Sequence, residues 1–151
     1  MCAGIEQRVK SKLRHIRELF GMRDRLAAFE REHTSPLLTN MSMIRNIYDI
    51  YKGALRRIDP SADPRDTINR KKFLFVVLYL YSPETLCGSI IKHRLRENFS
   101  SVLQCAPTSV SRDCADARVY YDNYPDFRHD VNTILSDVVD SLFGTDKNAQ
   151  L

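Results

Sequence analysis

Residues 73 to 81 read FLFVVLYLY, nine consecutive apolar side chains. An element with one wet face cannot carry such a run, so it must be covered on every side. It is too short to cross the hydrocarbon of a bilayer, which takes about 20 residues, so the cover must be protein. The aromatic and β-branched content suits a strand, but a strand needs a partner, and no second convincing strand pattern occurs. The competing reading is a central buried helix, opened by the basic cluster Arg70, Lys71 and Lys72. The rest of the chain favours it. Only 5 of 151 residues are Gly, few for a fold built on tight β-turns, and apolar residues recur at three- and four-residue steps. The expected class is all-α, a helical bundle. Apolar residues make up 43% of the chain, ample for one domain or a domain with an appendage.

Periodicity and punctuation divide the chain. Ile5, Val9, Leu13, Ile16, Leu19 and Phe20 form one stripe of a helix reaching about His33, which Gly21 bends or divides. Thr34-Ser35-Pro36 has the chemistry of a helix start, and a second helix is expected from Pro36 or Asn40 to Arg57. Asp59-Pro60-Ser61-Ala62-Asp63-Pro64 is the clearest break, so the boundary between two halves is placed there. Residues 1–58 form a helical pair for association, and residues 66–143 form a second domain. Asp66 or Thr67 caps the buried helix, which runs to about Ser82. Gly88 allows a further turn, and Asp126 caps a last helix from about Phe127 to Phe143 with Val131, Ile134, Leu135, Val138 and Val139 on its stripe. Residues 144–151 are polar and expected to fray.

Charge is distributed unevenly. Residues 1–57 hold 12 Lys/Arg against 6 Asp/Glu, residues 58–112 hold 8 against 5, and residues 113–151 hold 3 against 8. A basic front suits an anionic partner; a solvated helical surface gives the same composition.

The stretch FSSVLQCAPTSVSRD, residues 99 to 113, raises the functional question. Phe99, Val102 and Leu103 end one short helix. Cys105-Ala106-Pro107 interrupts it, and Thr108 or Ser109 can cap the next, with Val110 as its first buried residue. The stretch resembles the helix-turn-helix of bacterial regulators, with Cys105 as the apolar residue of the turn and Pro107-Thr108-Ser109-Val110-Ser111-Arg112 as the start of a recognition helix. A looser resemblance reaches the C-terminal DNA-binding domain of the bacterial replication initiator. The RKKF-like and YPDFRHDV-like segments are similar to proteins of Bacteroides-type phages and mobile elements. The resemblance implies double-stranded DNA as partner. Thr108, Ser109, Ser111 and Arg112 would meet the major groove. Lys92, Arg94 and Arg96 would hold phosphates, and Arg70, Lys71 and Lys72 would add a second backbone contact. The family's turn commonly carries Gly where this chain has Gln104, so Gln104 must accept a left-handed conformation or the turn must differ. Asp113, Asp116 and Asp122 follow Arg112, and they are compatible with a groove only if they face away from it.

Other chemistries find little footing. Cys2, Cys87, Cys105 and Cys114 form no CxxC and have no histidine at ligand spacing, so no metal or cofactor is expected, and the last three read as small buried apolar residues in a reducing compartment. No phosphate loop, dinucleotide fingerprint or nucleophile elbow appears. His15, His33 and His93 read as surface residues, and Tyr120 and Tyr121 as packing rather than catalytic groups. The first residues lack a hydrophobic signal core. The expectation is a non-enzymatic, cytoplasmic DNA-binding protein, a transcriptional regulator or replication accessory of a bacterium or phage, with a homodimer or helical protein partner engaged through residues 5–57 and no membrane. The alternative is a helical interaction or virion component that reuses the geometry for packing.

Overall fold

A computed structural model of the chain describes residues 2–144. It holds six α-helices, and no strand occurs among the described residues: α1 (Cys2–Thr34), α2 (Ile44–Ile58), α3 (Thr67–Tyr81), α4 (His93–Leu103), α5 (Pro107–Asn123) and α6 (Pro125–Phe143), with 3-10 turns at Met41–Met43 and Pro83–Cys87. No helix among the described residues is long and apolar enough to cross a membrane. Residues 145–151, most of the expected frayed tail, lie outside the described residues.

The chain divides into two compact units between Ser35 and Pro36, not at the Pro-rich stretch. The first unit is α1. It runs unbroken through Gly21, and none of its residues is buried. It ends by turning side chains back on its own carbonyls: Thr34 Oγ1 donates to the Glu30 carbonyl at 2.6 Å, and the Ser35 hydroxyl donates to the Arg31 carbonyl. Thr34 and Ser35 thus close a helix where the sequence suggested that they open one.

The second unit is built around α3. Phe73, Leu74, Val76, Val77, Leu78 and Leu80 have no exposed surface, and α2, α5 and α6 pack against the helix. Phe73 is the aromatic centre, with the rings of Tyr48, Tyr51 and Phe99 at 4.9, 5.2 and 6.0 Å between centroids. The Tyr51 hydroxyl donates to the Asn69 carbonyl inside this cluster. Burial pushes the Tyr51 phenol far above its ordinary value, so the hydroxyl stays protonated as a donor.

The Pro-rich boundary failed for a physical reason. Ile44, Ile47, Tyr51, Ala54 and Leu55 of α2 are all buried in the same core as α3. The segment before α2 is tied to α3 as well: the Leu38 N–H donates to the Leu80 carbonyl at 2.9 Å, and the Tyr81 hydroxyl donates to the Asn40 carbonyl at 2.7 Å. Residues 59–66 are therefore a tight connection within one unit. Asp59 Oδ1 accepts from the Ser61 N–H and hydroxyl, Asp63 Oδ1 accepts from the Arg65 N–H, and Asn69 Nδ2 donates to the Asp63 carbonyl. Asp66 caps α3 through the Thr67 N–H, as its position suggested. The apolar stripe of α2 is thus spent on this core, and only its other face remains exposed.

Candidate nucleic-acid interface

The helices α4 and α5 pack directly on one another. Leu95, Phe99 and Leu103 bury one face of α4, and Val110 and Cys114 bury the facing side of α5. Three residues join them: Gln104, Cys105 and Ala106. Gln104 adopts φ 52° and ψ 49° and closes α4 by donating its N–H to the Ser100 carbonyl. It is the one non-glycine residue with positive φ among the described residues. Of the two possibilities the sequence left open, a left-handed Gln104 or a different turn, the first is present. The Ser100 hydroxyl braces the turn by donating to the Cys105 carbonyl.

The helix α5 starts at Pro107, two or three residues earlier than a Thr108 or Ser109 cap implies. Ala106 occupies the cap position and offers no side-chain acceptor. Pro107 has no N–H to satisfy, and Thr108 and Ser109 stand in the first turn of a helix whose end lacks a side-chain cap. Such an end attracts anions. Thr108 and Arg112 are exposed, while Ser109 and Ser111 are half-buried. With Ala115 and Val119, also exposed, Thr108 and Arg112 make a narrow stripe at steps of four, three and four residues.

The acidic residues of α5 explain where the basic cluster of α3 belongs. Asp113 is 3% exposed, and its carboxylate lies 2.6 Å from Arg70 Nε. Asp116 Oδ2 lies 3.4 Å from Lys71 Nζ, which also sits 4.7 Å from the Tyr120 ring centroid. Lys72 Nζ lies 2.9 Å from Asp130 Oδ2 on α6. Lys71 and Lys72 are themselves buried. The three cations clamp α3 to α5 and α6. The second phosphate contact expected of Arg70, Lys71 and Lys72 is thereby overturned, because their charges already face carboxylates inside the fold.

The remaining expected contacts lie at the start of α4. Lys92 and Arg94 are exposed, and Lys92 Nζ is 3.5 Å from a Glu84 carboxylate oxygen. Arg96 is half-buried; its Nη2 lies 3.2 Å from His93 Nδ1, and its enclosed Nε has no hydrogen-bond partner. His93 Nε2 in turn lies 2.9 Å from Glu97. The turn brings in one cation that periodicity did not single out: Arg65 Nη2 donates to Gln104 Oε1 at 3.4 Å. A second is Arg118, whose Nη1 lies where a Cβ on Gly88 would be only 2.9 Å away; Gly88, at φ 112°, leaves room for it. The positive φ of Gly88 is only weakly legible in the sequence, and the approach of Arg118 is not legible at all.

The thiols differ from expectation at one position. Cys114 is buried, Cys105 half-buried and Cys87 exposed. Burial pushes the Cys114 thiol up to about 12, and it also raises Cys105. Tyr121 stacks on Phe75 at 4.3 Å and donates to Asn132 Oδ1 at 2.8 Å, and Tyr120 packs edge-on against Tyr124 and Phe127. No group of three His, Cys, Asp or Glu among the described residues is arranged to hold a metal ion. Comparison with protein-family models, curated proteins and solved structures returns no match for this chain.

Proposed function

We propose that this chain is a non-enzymatic, double-stranded-DNA-binding protein of the cytoplasm, a transcriptional regulator or replication accessory of a bacterium or phage, in which α4, its turn and α5 act as a helix-turn-helix. One observation carries the reading. Asp113 and Asp116, the first two of the three aspartates that follow Arg112 on α5, turn toward α3 and pair with Arg70 and Lys71. The exposed stripe Thr108, Arg112, Ala115 and Val119 is therefore free of acidic side chains up to the exposed Asp122, which follows Val119 at the next step. A narrow stripe of hydroxyl, guanidinium and small apolar groups suits the major groove, where Arg meets guanine and methyl groups meet thymine. The uncapped start of α5, with Arg65 at the preceding turn, and Lys92 and Arg94 at the opposite end of α4 supply phosphate contacts.

A second reading, a helical interaction or virion component without DNA binding, draws on the exposed apolar residues of α1. Duplex binding measured by fluorescence anisotropy across a salt series separates the two. The expected result is affinity that falls steeply with salt. Arg112→Ala should weaken binding by about 1–3 kcal/mol at the preferred sequence and relax preference at its contact position, whereas Lys92→Ala and Arg94→Ala should each make the slope shallower by about one unit. Absence of binding to any duplex at low salt would replace the first reading with the second.

A further inference from the structure

The helix α1 has 33 residues, about 50 Å at 1.5 Å per residue, and buries none of them. Its apolar residues follow a heptad. With Val9 and Ile16 at position a, Ile5, Leu19 and Leu26 fall at d. Leu13 and Phe20 flank the seam at e, and Met22 and Phe29 flank it at g. All nine are exposed, from 36% at Ile16 to 67% at Ile5. A contiguous apolar face of this length on a single helix calls for a partner.

The charges within the seam say which partner and which way round. Lys12 falls at d, and Arg23 and Glu30 fall at a. In a parallel pair each would face its own copy, giving three like-charge layers. In an antiparallel pair, a residues meet d residues of the other chain. The register that joins Ile16 to Leu26 then sets Lys12 against Glu30, twice per dimer. Arg23 lies beside Leu19, where its aliphatic stem packs and its guanidinium reaches water. The flanks close with Phe20 on Phe20 and Met22 on Met22. The register slid one heptad toward fuller overlap would cover Ile5 as well but would set Lys12 against Arg23, a repulsive layer. We propose that α1 is a self-association helix that pairs with α1 of a second copy as an antiparallel coiled coil, in the register that sets Lys12 against Glu30.

Sedimentation equilibrium of the full chain tests the pairing. A reversible dimer is expected. Lys12→Glu and Glu30→Lys should each weaken it by on the order of tenfold or more, since each puts two like-charge layers into the seam. The double variant should restore it to near the wild-type constant. These positions are exposed, so the core of the second unit is untouched. Orientation is read by cross-linking in a Cys2→Ser, Cys87→Ser background: a mixture of Ile16→Cys and Leu26→Cys chains should oxidise to a mixed disulfide dimer, and neither chain alone should. A chain that stays monomeric across the accessible concentration range overturns the proposal. So does a double charge variant as weak as the single ones, or an Ile16→Cys chain that links to itself, which is the signature of parallel pairing.

Discussion

Asp113 is the residue on which the site depends. Its carboxylate is buried and meets Arg70 Nε at 2.6 Å, and Arg70 comes from another helix. Taking both charges out of water is expensive, so the pair adds little to stability against an apolar substitute, but either partner left alone is strongly unfavourable. Arg70→Met should therefore destabilise the fold by about 3–5 kcal/mol in urea unfolding, because it strands a buried carboxylate. Arg70→Met with Asp113→Leu should recover most of that loss. A single variant as stable as the double would show that Asp113 reaches water. With the carboxylate held inward, the next exposed position of α5 after Arg112 is the uncharged Ala115, on which the proposed groove surface rests.

At the scale of elements, the turn between α4 and α5 holds the one non-glycine residue with positive φ among the described residues. Gln104 holds φ 52°, a region where a side chain costs roughly 1–2 kcal/mol. Gln104→Gly should raise stability by about 0.5–1 kcal/mol in urea unfolding and leave the helices in place, while Gln104→Val should lower it, since a β-branched residue resists that conformation. Loss of stability on the glycine change would mean that the hydrogen bond from Arg65 outweighs the backbone relief. This turn also shows what was legible in the sequence. Pro107, the hydroxyl residues after it and the spacing from Phe99 to Val110 announced a helix, a short turn and a helix, while the absence of Gly left two possibilities, a left-handed Gln104 or a different turn. The run FLFVVLYLY announced a central helix because nothing else can cover it. The destination of Arg70, Lys71 and Lys72 was not legible, because a basic cluster reads the same whether it faces solvent or carboxylates more than forty residues away. The boundary misled for a related reason. Prolines and aspartates mark where helices stop, but only long-range packing of Ile44, Ile47 and Tyr51 decides which helices share a core.

At the scale of the whole molecule, stability and charge reside in different units. Every buried residue among the described ones lies between Ile44 and Val139, and α1 buries none. Residues 36–151 carry 15 Lys/Arg against 14 Asp/Glu, and residues 1–35 carry 8 against 5. The compact unit is thus nearly neutral, with several of its cations already matched internally, while the long helix holds most of the net positive charge. Removing residues 1–35 should accordingly leave the urea-unfolding free energy of the remaining chain within about 0.5 kcal/mol of the full chain, because α1 buries no residue. The same truncation should weaken duplex binding and flatten its salt dependence, through the loss of α1 cations and of the second binding unit that pairing supplies. The two measurements divide the possibilities cleanly. A fall in the unfolding free energy would mean that α1 supports the core. An unchanged salt slope would mean that every phosphate contact comes from the second unit, and the surface around Arg112, Lys92 and Arg94 would then have to account for all of the binding.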